Sequence, residues 1–285
     1  MGFKEKLVKY LQDSLTKAEL EALPSGFQTI GKLIIIKLKP ELLDKKKIIA
    51  EAYLELLPYI RSVYLNLGKI EGQLREPEKI EFLSGDDNPL VIHKEHGVSY
   101  IFDITKIMFS QGNLRERRYL ANLVGNDEIV VDMFAGIGYF SLPIAIIAEP
   151  KKIYSIELNP TAYQFLLKNI KLNRVEDLIE PLQGNCREKV FELRKRGVRA
   201  DRIIMGVFPT PKEYIQDALK IVKDLGTIIH YEGVTDKDEY LELYNEFSQI
   251  ASQNNFETFL KEHRFVKSYG PNLYHIVYDI SVHHI

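Results

Sequence analysis

The stretch Val130-Val-Asp-Met-Phe-Ala-Gly-Ile-Gly-Tyr-Phe140 decides the fold. Ile129, Val130, Val131 and Met133 surround Asp132 with apolar side chains, the composition of a strand buried on both faces of a parallel sheet. Ala135-Gly-Ile-Gly138 follows as a turn whose missing side chains let backbone N–H groups approach a ligand. Phe140 onward (Phe-Ser-Leu-Pro-Ile-Ala-Ile-Ile-Ala) has the composition of the next helix. A strand, a glycine turn and a helix opening on it present a nucleotide-like ligand at the edge of a doubly wound sheet. The turn is not a phosphate loop, because it lacks G-x-x-x-x-G-K-[ST], and it carries G-x-G rather than G-x-G-x-x-G.

The next strand is Lys152-Ile-Tyr-Ser-Ile-Glu157, and it ends on an acid 21 residues beyond Gly136. A carboxylate at that strand tip is placed to accept hydrogen bonds from both hydroxyls of a ribose. The competing reading is a solvated carboxylate at a helix N-terminus, since Asn159-Pro160 opens a helix. Coupled to the glycine turn, ribose binding is the favoured role.

Composition bounds the class. The chain has 285 residues, 45% of them apolar, enough for a sizeable core in one large or two modest domains. It has no apolar run of 18 residues, and Met-Gly-Phe-Lys-Glu-Lys is a polar, amphipathic start rather than a signal peptide. Lys6 stands where N-myristoylation wants Ser or Thr. A single cysteine, Cys186, excludes an internal disulfide and a thiolate cluster, and the seven histidines show no ligand spacing. The expectation is a cytoplasmic, metal-free protein without a membrane partner, of open oligomeric state and compatible with a monomer.

The net charge of −2 argues against a generic nucleic-acid binder, but it hides local bias. Residues 187–202 hold seven Lys and Arg against three acids, and Lys45–Lys47 and Arg115, Arg117 and Arg118 form smaller clusters. Such runs read either as solvated faces or as phosphate contacts.

The chain divides into two patterns. Residues 1–108 read as a small α+β domain: a helix over 3–22, strands over 27–38, 63–67 and 79–83, a helix over 48–57, and a meander over 90–93, 98–102 and 104–109. Residues 109–285 read as an α/β domain. Its strands fall at 128–133, 152–157, 178–183, 202–207 and 226–232, with helices at 139–148, 160–172, 187–196, 211–224 and 236–253. Two late strands, 257–266 and 273–282, supply an antiparallel pair that the six-parallel dehydrogenase sheet lacks.

Asp132-x-Phe134-x-Gly136-x-Gly138 resembles motif I of the class I S-adenosylmethionine (AdoMet) transferases, which implies AdoMet as the bound molecule. Phe102 to Ser110 followed by Leu114-Arg-Glu-Arg-Arg118, Leu166 to Asn173, and the endings Asp201 to Gly206 and Gly226 to Tyr231 narrow the resemblance. Together they are similar to the archaeal relatives of the tRNA guanine-37 N1-methyltransferase. Two activities share that scaffold. The methyltransferase branch carries an Arg after Phe-Ser-Pro and an Asn-(Leu/Pro)-Pro at the fourth strand tip. Here the linker reads Phe109-Ser-Gln-Gly-Asn-Leu and the tip Met205-Gly-Val-Phe-Pro-Thr210. Met-Gly resembles the wyosine-pathway branch, which moves the 3-amino-3-carboxypropyl group of AdoMet onto C7 of 4-demethylwyosine at position 37 of tRNA-Phe. The alternative is guanine-37 N1 methylation. A silent RNA-binding module is disfavoured by the intact glycine turn and Glu157.

The resemblance also implies roles. Ser110 and Arg117 contact AdoMet, Arg117 through the methionine carboxylate or else as a plain helix charge. Phe134 packs near the ligand or in the core, Gly136 and Gly138 admit the backbone, and Glu157 binds the ribose. Asn185 and Cys186 stand where relatives have Asp-Asn against adenine, with Cys186 a pocket wall rather than a nucleophile. His230 reads as a satisfied core or rim residue. Phe208 and Tyr139 are candidates to stack on a flipped-out base. No catalytic base is assigned. The anticodon loop of tRNA-Phe is the expected partner, met by residues 187–202, Lys45–Lys47 and the small N-terminal domain.

Overall fold

The computed structural model describes residues 2–68, 70–71, 76–77, 79–207 and 209–285. The chain forms two compact units, 1–94 with 100–109, and 95–99 with 110–285.

In the first unit, α1 (Phe3–Leu11) and α2 (Lys17–Ala22) replace the single helix expected over 3–22. Thr16 starts the second helix: its hydroxyl accepts from the Glu19 amide, and the Glu19 carboxylate accepts from the Thr16 amide at 2.7 Å. The expected strand 27–38 is instead a hairpin of β1 (Gln28–Ile30) and β2 (Leu33–Ile36), turned at Gly31 with φ +57°. Then come α3 (Lys46–Leu56), β3 (Ser62–Asn66), the short pair β4 (Ile70–Glu71) and β5 (Glu76–Pro77), and β6 (Ile80–Gly85). The sheet order is β1-β2-β3-β6, and Leu7, Leu11, Ile49 and Tyr53 of the helices bury against Ile34, Ile36, Val63 and Leu65. β7 (Leu90–Glu95) and β8 (Val98–Asp103) pair as a hairpin. The third meander strand, 104–109, does not form. The Asp103 side chain accepts from the Thr105 amide and its carbonyl from the Ile107 amide, and these local bonds curl the chain.

The second unit runs α4 (Leu114–Leu123), β9 (Ile129–Asp132), α5 (Ser141–Ile147), β10 (Lys152–Glu157), α6 (Pro160–Asn173), β11 (Ile179–Gln183), α7 (Cys186–Lys195), β12 (Arg202–Met205), α8 (Ile215–Leu219), β13 (Thr227–Asp236), α9 (Glu242–Gln253), β14 (Phe256–Gly270) and β15 (Leu273–His284). The sheet order β11-β10-β9-β12-β13-β15-β14 is parallel except for β15 and β14, the class I AdoMet-transferase arrangement. Strand order reverses between β9 and β12, so the crevice beyond their carboxyl ends is the place for a ligand. Two helices differ from expectation. β13 pairs with β15 residue by residue from Thr227–Val282 to Asp236–Leu273, and this ladder delays α9 from 236 to 242. The helix expected over 211–224 shrinks to Ile215–Leu219 after a 3₁₀ turn, because Ala200 bridges Val222 and draws that end into the sheet.

Candidate active site

The glycine turn sits on the tip of β9. Gly136 and Gly138 hold φ +58° and +99°, and a Cβ on Gly138 would lie 2.7 Å from Leu142. One Glu157 oxygen accepts from the Gly136 amide at 2.7 Å and the other from the Asn159 amide at 2.6 Å. The carboxylate therefore ties the turn to the start of α6. A carboxylate offers about four acceptor directions, so these two amides do not exhaust it. Burial raises the Glu157 pKa against those two amide bonds.

Asp132 lies one step below the edge, 1% exposed. It accepts from the Ser141 hydroxyl at 2.7 Å and from the Phe134 amide at 3.3 Å, and Ser155 donates in turn to Ser141. Burial pushes its carboxyl up to about 7, with Glu157 and Glu232 adding repulsion.

The Leu166–Asn173 signature has a physical role. Asn169 is fully buried and donates to the Ile137 carbonyl at 3.1 Å, clamping the glycine turn to α6. Asn173 donates to the Ser99 carbonyl and accepts from the Ser99 amide at 2.8 Å, holding the hairpin tip.

The remaining expected contacts gather at the same edge, but several are already engaged. Arg117 is buried. It donates to Glu95 at 2.5 Å and to the Ser110 carbonyl at 2.6 Å, and its guanidinium lies 4.9 Å from the Tyr139 ring centre. The Tyr139 ring also lies against Gly136. The Ser110 hydroxyl accepts from Lys267 at 3.2 Å. Phe134 packs edge-on against Tyr214 at 5.1 Å. Asn185 caps α7 through the Arg187 amide, and burial pushes the Cys186 thiol up to about 12, which disfavours the nucleophilic thiolate. Phe208 lies outside the described residues.

Sequence inspection singled out Met205–Gly206 at the fourth strand tip but missed Glu232 and His275 beside it. Gly206 follows the last residue of β12, and a Cβ there would lie 3.2 Å from Phe140 and 3.4 Å from the Glu232 carboxyl carbon. Glu232 is 2% exposed, and its carboxylate lies 3.1 Å from Nε2 of the fully buried His275 on β15. Residues 232 and 275 meet only through the β13–β15 register, which the sequence does not display. Among the described residues, none of Asp132, Glu157 and Glu232 forms an ion pair with Lys or Arg. This edge therefore suits a cationic nucleoside.

Four of the seven bases of the stretch 187–202 face acids, most of them brought from elsewhere in the chain. Arg187 pairs with Glu213 at 2.9 Å, Lys189 with Glu192 at 2.9 Å and Arg196 with Glu180 at 2.6 Å. Arg202 leaves the surface altogether. It makes a bidentate pair with Glu128 at 2.7 and 2.9 Å and donates to His230 Nε2 at 2.8 Å, which rules it out as a phosphate contact. His230 is a satisfied core residue, with Asp279 against its Nδ1. Among the described residues no His, Cys, Asp or Glu group has metal-binding geometry, and no helix is long and apolar enough to cross a membrane.

Residues 91–259 match the model of the TRM5/TYW2 methyltransferase domain, and residues 7–88 that of the TYW2 N-terminal domain. The chain belongs to the TRM5/TYW2 family. It is 38% identical to the tRNA(Phe) (4-demethylwyosine(37)-C(7)) aminocarboxypropyltransferase of Pyrococcus horikoshii, over 99% of this chain and 98% of that one. It is 33% identical to the tRNA (guanine(37)-N(1))-methyltransferase Trm5b of Pyrococcus abyssi, over 91% of this chain and 76% of that one. The crystal structure of Pyrococcus horikoshii TYW2 in complex with MeSAdo superposes with a TM-score of 0.83 at 33% identity, covering 99% of each chain.

Proposed function

We propose that this TRM5/TYW2 family member is a cytoplasmic enzyme that transfers the 3-amino-3-carboxypropyl group of AdoMet to C7 of 4-demethylwyosine at position 37 of tRNA-Phe. The observation that carries it is the fourth strand tip: Met205–Gly206 with Glu232 beside it, where the methyltransferase branch has an Asn motif. The near-equal length of the aminocarboxypropyltransferase relative supports the same reading. Gly136, Gly138 and Glu157 would hold the nucleoside, Asn185 and Cys186 the adenine side, Phe134 the strand tip, and Ser110 and Arg117 the amino-acid arm. Arg117 would do so by exchanging part of its bonding to the Ser110 carbonyl. Residues 1–108, Lys45–Lys47 and the exposed Arg115 and Arg118 are the candidate contacts for the anticodon loop.

A sulfonium offers three electrophilic carbons, and the one held in line with the nucleophile reacts. What this chain decides is therefore orientation. Parallel incubations of tRNA-Phe bearing 4-demethylwyosine with methyl-labelled and carboxyl-labelled AdoMet test it. Carboxyl label and the aminocarboxypropyl mass on the tRNA are expected. Methyl label instead, on that base or on guanosine-37 of unmodified tRNA, would mean a methyltransferase.

A further inference from the structure

We infer that Glu232 accepts the proton that the acceptor carbon must release, and that His275 positions its carboxylate. This role rests on the reaction proposed above. In that reaction the acceptor ring carbon forms a bond to Cγ of the aminocarboxypropyl group, and the Cγ–S bond breaks. The electron pair of that bond leaves with sulfur as neutral methylthioadenosine. The ring carbon still carries its hydrogen, so that hydrogen departs as a proton and its bonding electrons restore the aromatic ring. A base beside the acceptor is required.

Among the described residues three carboxylates stand at this edge, and of these Glu232 is the one that flanks Gly206. Asp132 lies below the edge, with one oxygen on the Ser141 hydroxyl and the other on the Phe134 amide. Glu157 belongs to β10, across β9 from β12 and β13, and binds the glycine turn. Glu232 is one residue past the Met205–Tyr231 pair that ends the β12 register, so it reaches the level of Gly206. The glycine leaves it room, with the carboxyl oxygen Oε1 3.5 Å from where a Cβ would stand.

Burying a carboxylate beside an imidazole carries a desolvation cost that apolar residues of similar size would not. The sheet does not require them, because β13 and β15 pair through their backbones at Glu232–Val277 and Val234–His275. The pair also borders the linker: His275 is in register with Lys267, whose ammonium reaches the Ser110 hydroxyl. The polar group absent from the fourth strand is thus supplied by the fifth, in a place suited to removing a proton from carbon.

The full-length enzyme, carboxyl-labelled AdoMet and tRNA-Phe bearing 4-demethylwyosine provide the test. Glu232→Gln should slow single-turnover transfer on the order of a hundredfold or more, the usual worth of a general base. AdoMet affinity by calorimetry should weaken far less than the rate falls, by the loss of one charge at the edge, and tRNA affinity by filter binding should stay at the wild-type value. Glu232→Asp should keep part of the rate and show a primary isotope effect with acceptor deuterated at the reacting carbon. His275→Gln should lower kcat with KM for AdoMet unchanged. A wild-type rate in Glu232→Gln, or a loss that merely tracks weakened AdoMet binding, overturns the role. Should Glu232→Gln fail to fold, the absence of an isotope effect in Glu232→Asp overturns it equally. If wild-type enzyme moves no carboxyl label, the reaction itself falls and this role with it. That result is distinct from an active wild type beside an equally active Glu232→Gln.

Discussion

Arg202 pairs with Glu128, and Arg264 with Glu116 and Asp279, whereas Asp132, Glu157 and Glu232 on the same sheet have no cationic Lys or Arg partner among the described residues. In the first region Glu128, Arg202, His230, Asp279, Arg264 and Glu116 form a continuous chain of contacts, with Arg264 at 2.8 Å from Glu116 and 2.5 Å from Asp279. In the second, hydroxyls, backbone amides and one imidazole are the partners. The difference separates two uses of buried charge. A neutralised network fixes α4 and the late strands in one arrangement. An edge left net acidic is stabilised further when a cation with hydrogen-bond donors arrives.

Breaking the network should have the largest effect. Arg264→Met strands Glu116 and Asp279 without their cation, and stability to urea should fall by about 3–5 kcal/mol. A loss below about 1 kcal/mol would show that the network is no stronger than an exposed ion pair.

The pH dependence of the two regions should have opposite sign. Asp132 is raised in the folded state, so its contribution is full below about pH 4 and lost as pH rises through about 7. The loss is on the order of a few kcal/mol. Asp279 is held well below the usual carboxylate range, because His230 and Arg264 outweigh its burial. Its contribution is present above the unfolded value and disappears only in stronger acid. Urea titrations of Asp132→Asn should therefore flatten the profile between pH 4 and 7, and those of Asp279→Asn should flatten it below pH 4. Identical profiles for both variants would erase the distinction.

The smallest effect sharpens the open edge. Glu157→Gln keeps one acceptor but turns an NH₂ toward an amide donor, either that of Gly136 or that of Asn159. AdoMet affinity by calorimetry should fall about tenfold to a hundredfold, the worth of hydrogen bonds to a charged group. An unaltered affinity would remove Glu157 from ribose binding.

The glycine turn, the strand before it and the acid after the next strand were legible because backbone conformation and burial are local demands. Segments rich in β-branched and aromatic residues at 129–133 and 152–156 fit buried strands, and φ values of +58° and +99° call for glycine. The 104–109 strand and the 3–22 helix were misread because Asp103 and Thr16 make local side-chain bonds that outbid the apolar pattern. The pairing of charges along the basic stretch 187–202 was not legible for a different reason. Charge counted along the chain ignores acids such as Glu128, Glu180 and Glu213 that folding brings alongside.

By itself the sequence determined that a doubly wound sheet carries a glycine turn and an acid at the next strand tip, since these depend on residues close together along the chain. Only the tertiary structure decided which charges are spent and which remain. Glu232 meets His275, and Arg264 meets Glu116, across the 43 and 148 positions that separate them. Electrostatic energy follows distance in space and burial, and pairing of strands sets both.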